Sequence, residues 1–270
     1  MRRRALTVTV AAVAGLLLAG CGSSGAADGS SSGSAKSSSS GSGPASLSGT
    51  VNVFAAASLK EAFTKLGVQF EAAHPGVNVV FNFGPSSGLA TQITQGAPAD
   101  VFASASAKNM GQVVTAGEAA SPTSFASNIM EIAVPAANPA GIKQLSDLAQ
   151  SGVKVALCQP AVPCGTTAAK VFAKARLTVT PVSQEVDVKA VLTKVTLGEV
   201  DAGVVYVTDV RAAGDKVRGI EIPDDVNAST QYPIATLTKA PNKAAARAFT
   251  DYVLSTDGAG ILTAAGFARP

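Results

Sequence analysis

From Thr50 to the end of the chain, short apolar runs alternate with amphipathic stretches, and that alternation predicts the elements. In VNVFAAASL, Val51 and Val53 alternate as in a buried strand that runs out in three alanines and Ser58. Ala62, Phe63, Leu66 and Phe70 then recur on one helix face, and Ser58 stands at capping-box spacing before Glu61. His74-Pro75-Gly76 stops this helix. A second strand is predicted over Val77 to Phe83, followed by a turn at Pro85-Ser86-Ser87-Gly88 and a helix carrying Leu89 and Ile93. Past the Gly96 to Asp100 punctuation come a short strand, Val101 to Ala103, and a helix through Met110, Val113 and Val114.

Two extended apolar runs, Ile129 to Val134 and Tyr232 to Leu237, flank the middle of the chain. Between them the pattern predicts a helix over Leu145 to Gln150, a strand over Val153 to Leu157 and a helix from Thr166 to Ala175. A loop around Glu185-Val186-Asp187, a helix through Val188, Leu192 and Val195, and strands over Ala202 to Val207 and Val217 to Ile222 follow. Ala245 to Leu254 and Ala259 to Ala265 read as closing helices. Strands alternating with helices predict an α/β fold of two lobes, each a mostly parallel sheet flanked by helices. Lobe 1 takes residues 49–130 and 231–270, lobe 2 takes 131–230, and the two apolar runs serve as crossover strands and hinge.

The first 48 residues follow another logic. MRRR, an apolar segment from Ala5 to Leu18 and small residues ending at Cys21 form an export signal over residues 1–21, too short to be a stable membrane span. Leu18-Ala19-Gly20-Cys21 resembles the lipobox of bacterial lipoproteins, which implies cleavage before Cys21, lipidation of that cysteine and anchoring on the extracytoplasmic face of the membrane. Residues 22–48 are almost wholly Ser, Gly and Ala, and are expected to be a disordered tether.

Charge narrows the partners. The 21 basic residues fall to 18 once Arg2, Arg3 and Arg4 leave with the leader, which equals the 18 acidic ones. A neutral chain of this kind is not built to bind nucleic acid. With Cys21 assigned to lipid, Cys158 and Cys164 remain, and in an exported protein the pair is expected to form a disulfide closing a small loop.

Serine hydrolysis is one function class to weigh, with Ser58, Ser86 and Ser87 in tight turns. Its base would have to be His74, the single histidine, at the far end of a helix beside Pro75. Anion binding by uncharged donors is the other. Ser58 and Ser86 lie at strand-to-helix turns, while Cys164-Gly165-Thr166 and Asp187-Val188 begin helices, and each helix start offers free N–H groups. Tyr206 ends an apolar strand where open α/β sheets place ligands.

VFAAASL at 53–59, the turn Ser86-Ser87-Gly88-Leu89, GAPADVFASA at 96–105 and GVVY at 203–206 together resemble the molybdate-binding protein of bacterial ABC importers, from about Thr50 to Phe267. The resemblance implies a type II periplasmic-binding-protein fold that holds a molybdate or tungstate dianion between its lobes by hydrogen bonds alone. It implies hydroxyl and N–H donors from Ser58 and Ser86, backbone N–H donors from Cys164 and Val188, and the hydroxyl of Tyr206. Pro85 stands where that family commonly has a serine, so the second turn offers either Ser86 or Ser87. The implied protein is a monomer with no cofactor and no catalytic activity, which hands its oxyanion to a membrane permease. The alternatives are the same fold binding sulfate or another tetrahedral anion and, more remotely, a secreted serine hydrolase.

Overall fold

The computed structural model describes residues 46–270. The expected leader over 1–21, Cys21 and most of the expected tether lie outside the described residues. The tether's last residues depart from expectation, because Leu47 packs on the apolar core and the Ser48 carbonyl accepts Asn242 Nδ2 at 2.8 Å. Gly76 permits this docking, since a Cβ there would stand 2.7 Å from the Leu47 carbonyl oxygen.

Strand β1 (Gly49–Ala56) passes through a 3-10 turn, Ala57–Leu59, into α1 (Lys60–Ala73). Then come β2 (Val77–Gly84), α2 (Ser86–Thr94), β3 (Val101–Ala103), α3 (Ala107–Thr115) and the long β4 (Thr123–Pro135). The middle holds β5 (Val155–Cys158), α4 (Pro163–Ala175), β6 (Ser183–Glu185), α5 (Val188–Thr196), β7 (Ala202–Tyr206), α6 (Val207–Ala213) and β8 (Val217–Glu221). The chain closes with β9 (Ser229–Thr236), α7 (Lys243–Leu254) and α8 (Thr256–Ala265).

Three expectations change. Leu145–Ala149 is a 3-10 turn rather than a regular helix, with Asp147 bonded back to the Lys143 and Gln144 N–H groups. The strand expected through Val207 stops at Tyr206, where Asp209 Oδ2 accepts the Tyr206 N–H at 3.1 Å and starts α6. Where a loop was expected, Ser183–Glu185 pairs with β5 as a polar strand at the end of the sheet, too short for alternation to reveal.

The strands run in the order β2-β1-β3-β9-β4-β7-β5-β6, with β8 on β4. β1 is parallel to β2 and β3, and β5 is parallel to β6 and β7, as helical crossovers between strands require. β4 and β9 run antiparallel to their neighbours and carry the chain from one parallel set to the other. Thr123 to Ile129 of β4 pairs with β9, whereas Met130 to Pro135 pairs with β7 and β8.

The apolar cores divide in the same way. In the first packed region Val51, Val53 and Ala55 face Phe63, Phe70 and Phe249, while Phe54 turns to Leu89, Phe102 and Met110 on the opposite side of the sheet. Burial on both faces explains why β1 has so few polar residues. The second packed region gathers residues from Met130 to Ala228, among them Val155, Val171, Val191 and Val204. Among the described residues no helix is long and apolar enough to cross a membrane.

Asp100, from the GAPADVF motif, is fully buried, and it ties β1 to the start of α7. Its carboxylate accepts the Asn52 N–H at 2.8 Å and the Asn242 N–H at 2.7 Å. That motif therefore carries a structural tie as well as strand β3.

Candidate functional site

Five turns bring the site together. β1 ends in Ala56 and Ala57, whose small side chains leave room beside the backbone, and Ser58 follows in the 3-10 turn. Ser58 is buried, and its Oγ lies 2.9 Å from Tyr232 Oη. It does not cap α1, which has no side-chain cap, and Glu61 turns away to Lys189. The expected capping box is thus replaced by a long-range hydroxyl pair and an ion pair.

Ser86 opens α2 after Pro85, and its buried Oγ accepts the Ala105 N–H at 2.9 Å, which leaves the hydroxyl proton free to donate. Ser87 is only partly buried and is absent from the cavity wall. Cys164 is the second residue of α4, behind Pro163, and is disulfide-bonded to Cys158. Pro163 has no N–H and Thr166 N–H is taken by the Val162 carbonyl, so Cys164 and Gly165 supply the free donors of this helix start. Gly165 is required here, since a Cβ would lie 2.0 Å from the Gln159 carbonyl oxygen. Val188 is the first residue of α5, and Asp187 caps that helix by accepting the Ala190 N–H at 3.0 Å. Tyr206 ends β7, wholly buried.

Ser58, Ser86, Cys164, Val188 and Tyr206 all line one cavity, together with Ala56, Ala57, Gly84, Pro85, Ala105, Val162, Pro163 and Asp187. The space open to the centre of a water-sized sphere is about 20 Å³, which suits a compact ligand. Among the described residues no lysine, arginine or histidine contributes to the wall. The buried Tyr206 hydroxyl has no hydrogen-bond partner among the described residues. Burial raises its pKa well above the usual phenol range, so it remains a protonated donor, and the Thr167 hydroxyl, which gives its own proton to the Pro163 carbonyl at 2.9 Å, comes near it without a hydrogen bond. His74 packs on Phe70, with ring centroids 4.5 Å apart, and forms no part of the wall. Among the described residues no three His, Cys, Asp or Glu side chains gather as a metal site. Converging hydroxyls and helix starts can hold an anion without a cationic side chain.

Sequence reasoning missed the groups behind the wall. Tyr232 lies 174 positions from the Ser58 it supports, and nothing local marks it. Lys189 joins two carboxylates, with Nζ 2.8 Å from Glu61 Oε2 and 3.0 Å from Asp209 Oδ1. The contact to Asp209 is an ion pair off the hydrogen-bond direction. Burial pushes the Asp209 carboxyl up to about 6 against the pull of Lys189. Burial also opposes the Lys189 charge, but Asp209 and Glu61 together hold its pKa above the usual lysine value. An acidic residue three positions after a strand-end tyrosine was the available sign of Asp209.

Residues 51–268 match the model of the bacterial extracellular solute-binding proteins. The chain is 46% identical over 222 residues to the molybdate-binding protein ModA of Mycobacterium tuberculosis, covering 82% of this chain and 85% of that one. The periplasmic molybdate-binding protein of Azotobacter vinelandii aligns with a TM-score of 0.73 at 22% identity, over 82% of this chain and 99% of that one. The sulfate-binding protein SubI from Mycobacterium tuberculosis gives a TM-score of 0.73 at 19% identity, over 82% of this chain and 86% of that one. What these two structures share with the chain is the fold, the type II periplasmic-binding-protein fold expected from the sequence.

Proposed function

The chain belongs to the bacterial extracellular solute-binding proteins, and we propose that within this family it captures molybdate or tungstate outside the cytoplasm and delivers it to the permease of an ABC importer. The observation that carries this reading is the Tyr206 hydroxyl, buried and unpartnered on a wall that also presents Ser58, Ser86 and two helix starts. An orphaned buried hydroxyl costs about 1–3 kcal/mol, and an oxyanion accepting its proton removes that cost. Hydrogen bonds to an ionised acceptor contribute about 1.5–3 kcal/mol each, so a handful supports tight binding after desolvation and closure.

In this reading Ser58, Ser86 and Tyr206 donate from hydroxyls, and Cys164 and Val188 from backbone N–H groups. Residues 49–130 with 231–270 and residues 131–230 act as lobes that close on the dianion, with β4 and β9 as the hinge. The protein works as a monomer without cofactor or catalysis, held to the membrane by lipid on Cys21. Selectivity comes from fixed donors around a small cavity, which a shorter-bonded oxyanion such as sulfate satisfies less completely. The fold shared with a sulfate-binding protein makes sulfate the second reading.

Calorimetric titration with molybdate, tungstate, sulfate and phosphate separates the two. Molybdate or tungstate should bind far more tightly than sulfate, and tight sulfate binding without molybdate binding would sink the first reading. For the anchor, the full-length protein should enter the detergent phase and a Cys21→Ser variant should not; equal partitioning removes it.

A further inference from the structure

Glu61, Lys189 and Asp209 form a chain of charge that stands outside the donor set yet touches three of its turns. Glu61 lies three residues after Ser58, Lys189 directly follows Val188, and Asp209 accepts the N–H of Tyr206 itself at 3.1 Å. Glu61 belongs to α1, which packs Ala62 and Phe63 into the first core. Lys189 belongs to α5, which packs Val188 and Val191 into the second. Among the described residues this is the only salt bridge that passes from one packed region to the other.

Its two arms differ. The inner arm is fixed, because Asp209 is fully buried on α6, which packs Val210 and Ala213 against the same core that α5 joins through Val188 and Val191. The outer arm ends on Glu61, whose side chain is 49% exposed. Separating the regions breaks only this outer arm. Glu61 then returns to water, while Lys189 keeps a carboxylate and no buried charge is stranded.

We propose that Lys189 is a positioning residue that latches α1 to α5 and α6 when the two regions close, so that the turns carrying Ser58, Val188 and Tyr206 meet the ligand together. The proposal rests on the reading of the cavity as an oxyanion site. A contact present only in the closed form slows release of the ligand and leaves capture unaffected, because capture begins from the open form.

The test uses the full chain and stopped-flow tyrosine fluorescence, since the sequence has three tyrosines and no tryptophan. Lys189→Met would strand Asp209 and put folding itself at risk, so the decisive variant is Glu61→Gln, which cuts the outer arm alone. With molybdate, Glu61→Gln should release about twofold to fivefold faster at low salt, the effect expected of a part-exposed ion pair. Association should stay within about twofold, the difference should shrink as salt is added, and the ligand-free melting temperature should not move. Lys189→Arg, which keeps both arms, should release at the rate of the unsubstituted protein. An unchanged release rate in Glu61→Gln, or a change confined to association, overturns the latch. If the unsubstituted protein takes sulfate in place of molybdate, the molybdate reading fails and the same rates measured with sulfate decide the latch. Binding of neither overturns both.

Discussion

Three hydroxyls reach the cavity, and their protons are committed differently. Ser86 already accepts one hydrogen bond, from Ala105, so its proton is free for a ligand. Ser58 shares a bond with Tyr232, and its proton is free when Tyr232 donates. Tyr206 has no partner among the described residues. Tyr206→Phe and Ser86→Ala should each weaken molybdate binding by about 1–3 kcal/mol, whereas Ser87→Ala should stay within about 0.5 kcal/mol of the parent by calorimetry. A loss at Ser87 with none at Ser86 would shift the second turn by one residue.

Asp209 gives a pH signature at the same scale. Its carboxyl titrates at about 6 in the fold against 3.8 when unperturbed, so the folded protein holds this proton more tightly. The contribution of this group to stability therefore falls as pH rises from 3.8 to about 6, by on the order of 3 kcal/mol, and is level above that. Thermal melts of the parent and Asp209→Asn should reveal it. The parent should lose stability relative to the variant across that window and run parallel above it. Parallel curves throughout would show that Asp209 is ionised at its ordinary pH.

At the scale of elements, legibility followed the range of the forces involved. Strand ends, small residues at the turns and helix starts are local, and residues 58, 86, 164, 188 and 206 were picked out by them before they proved to share a wall. The choice between Ser86 and Ser87 was not legible, because both stand at the head of one helix and only packing against Ala105 buries the first. α6 was hidden because Val207 continues the apolar run of β7, so the boundary is drawn by the Asp209 carboxylate rather than by hydropathy. Ser58 and Glu61 matched a capping box, but Tyr232 and Lys189, brought from distant parts of the chain, offered each a better partner. Local propensity lost to tertiary contact at the very turn that borders the cavity.

At the scale of the whole molecule, the long strand β4 is the feature that organises everything else. It pairs with β9 through Ile129 and with β7 and β8 from Met130 onward, so the first packed region is interrupted by the whole of the second. The second region is one continuous stretch of chain. The first cannot be completed without Ile234 on β3 and Phe249 in its core, and the Ser127 N–H waits for the carbonyl of Ala268. Because contacts of long sequence separation close slowly, the order of folding is written into this connectivity. A chain emerging from its amino end should protect amides in 155–206 before those in 51–103, as pulse-labelled hydrogen exchange would record, and the reverse order would refute it. Maturation of the cavity, which draws on both regions, then waits for residues 231–270 to arrive.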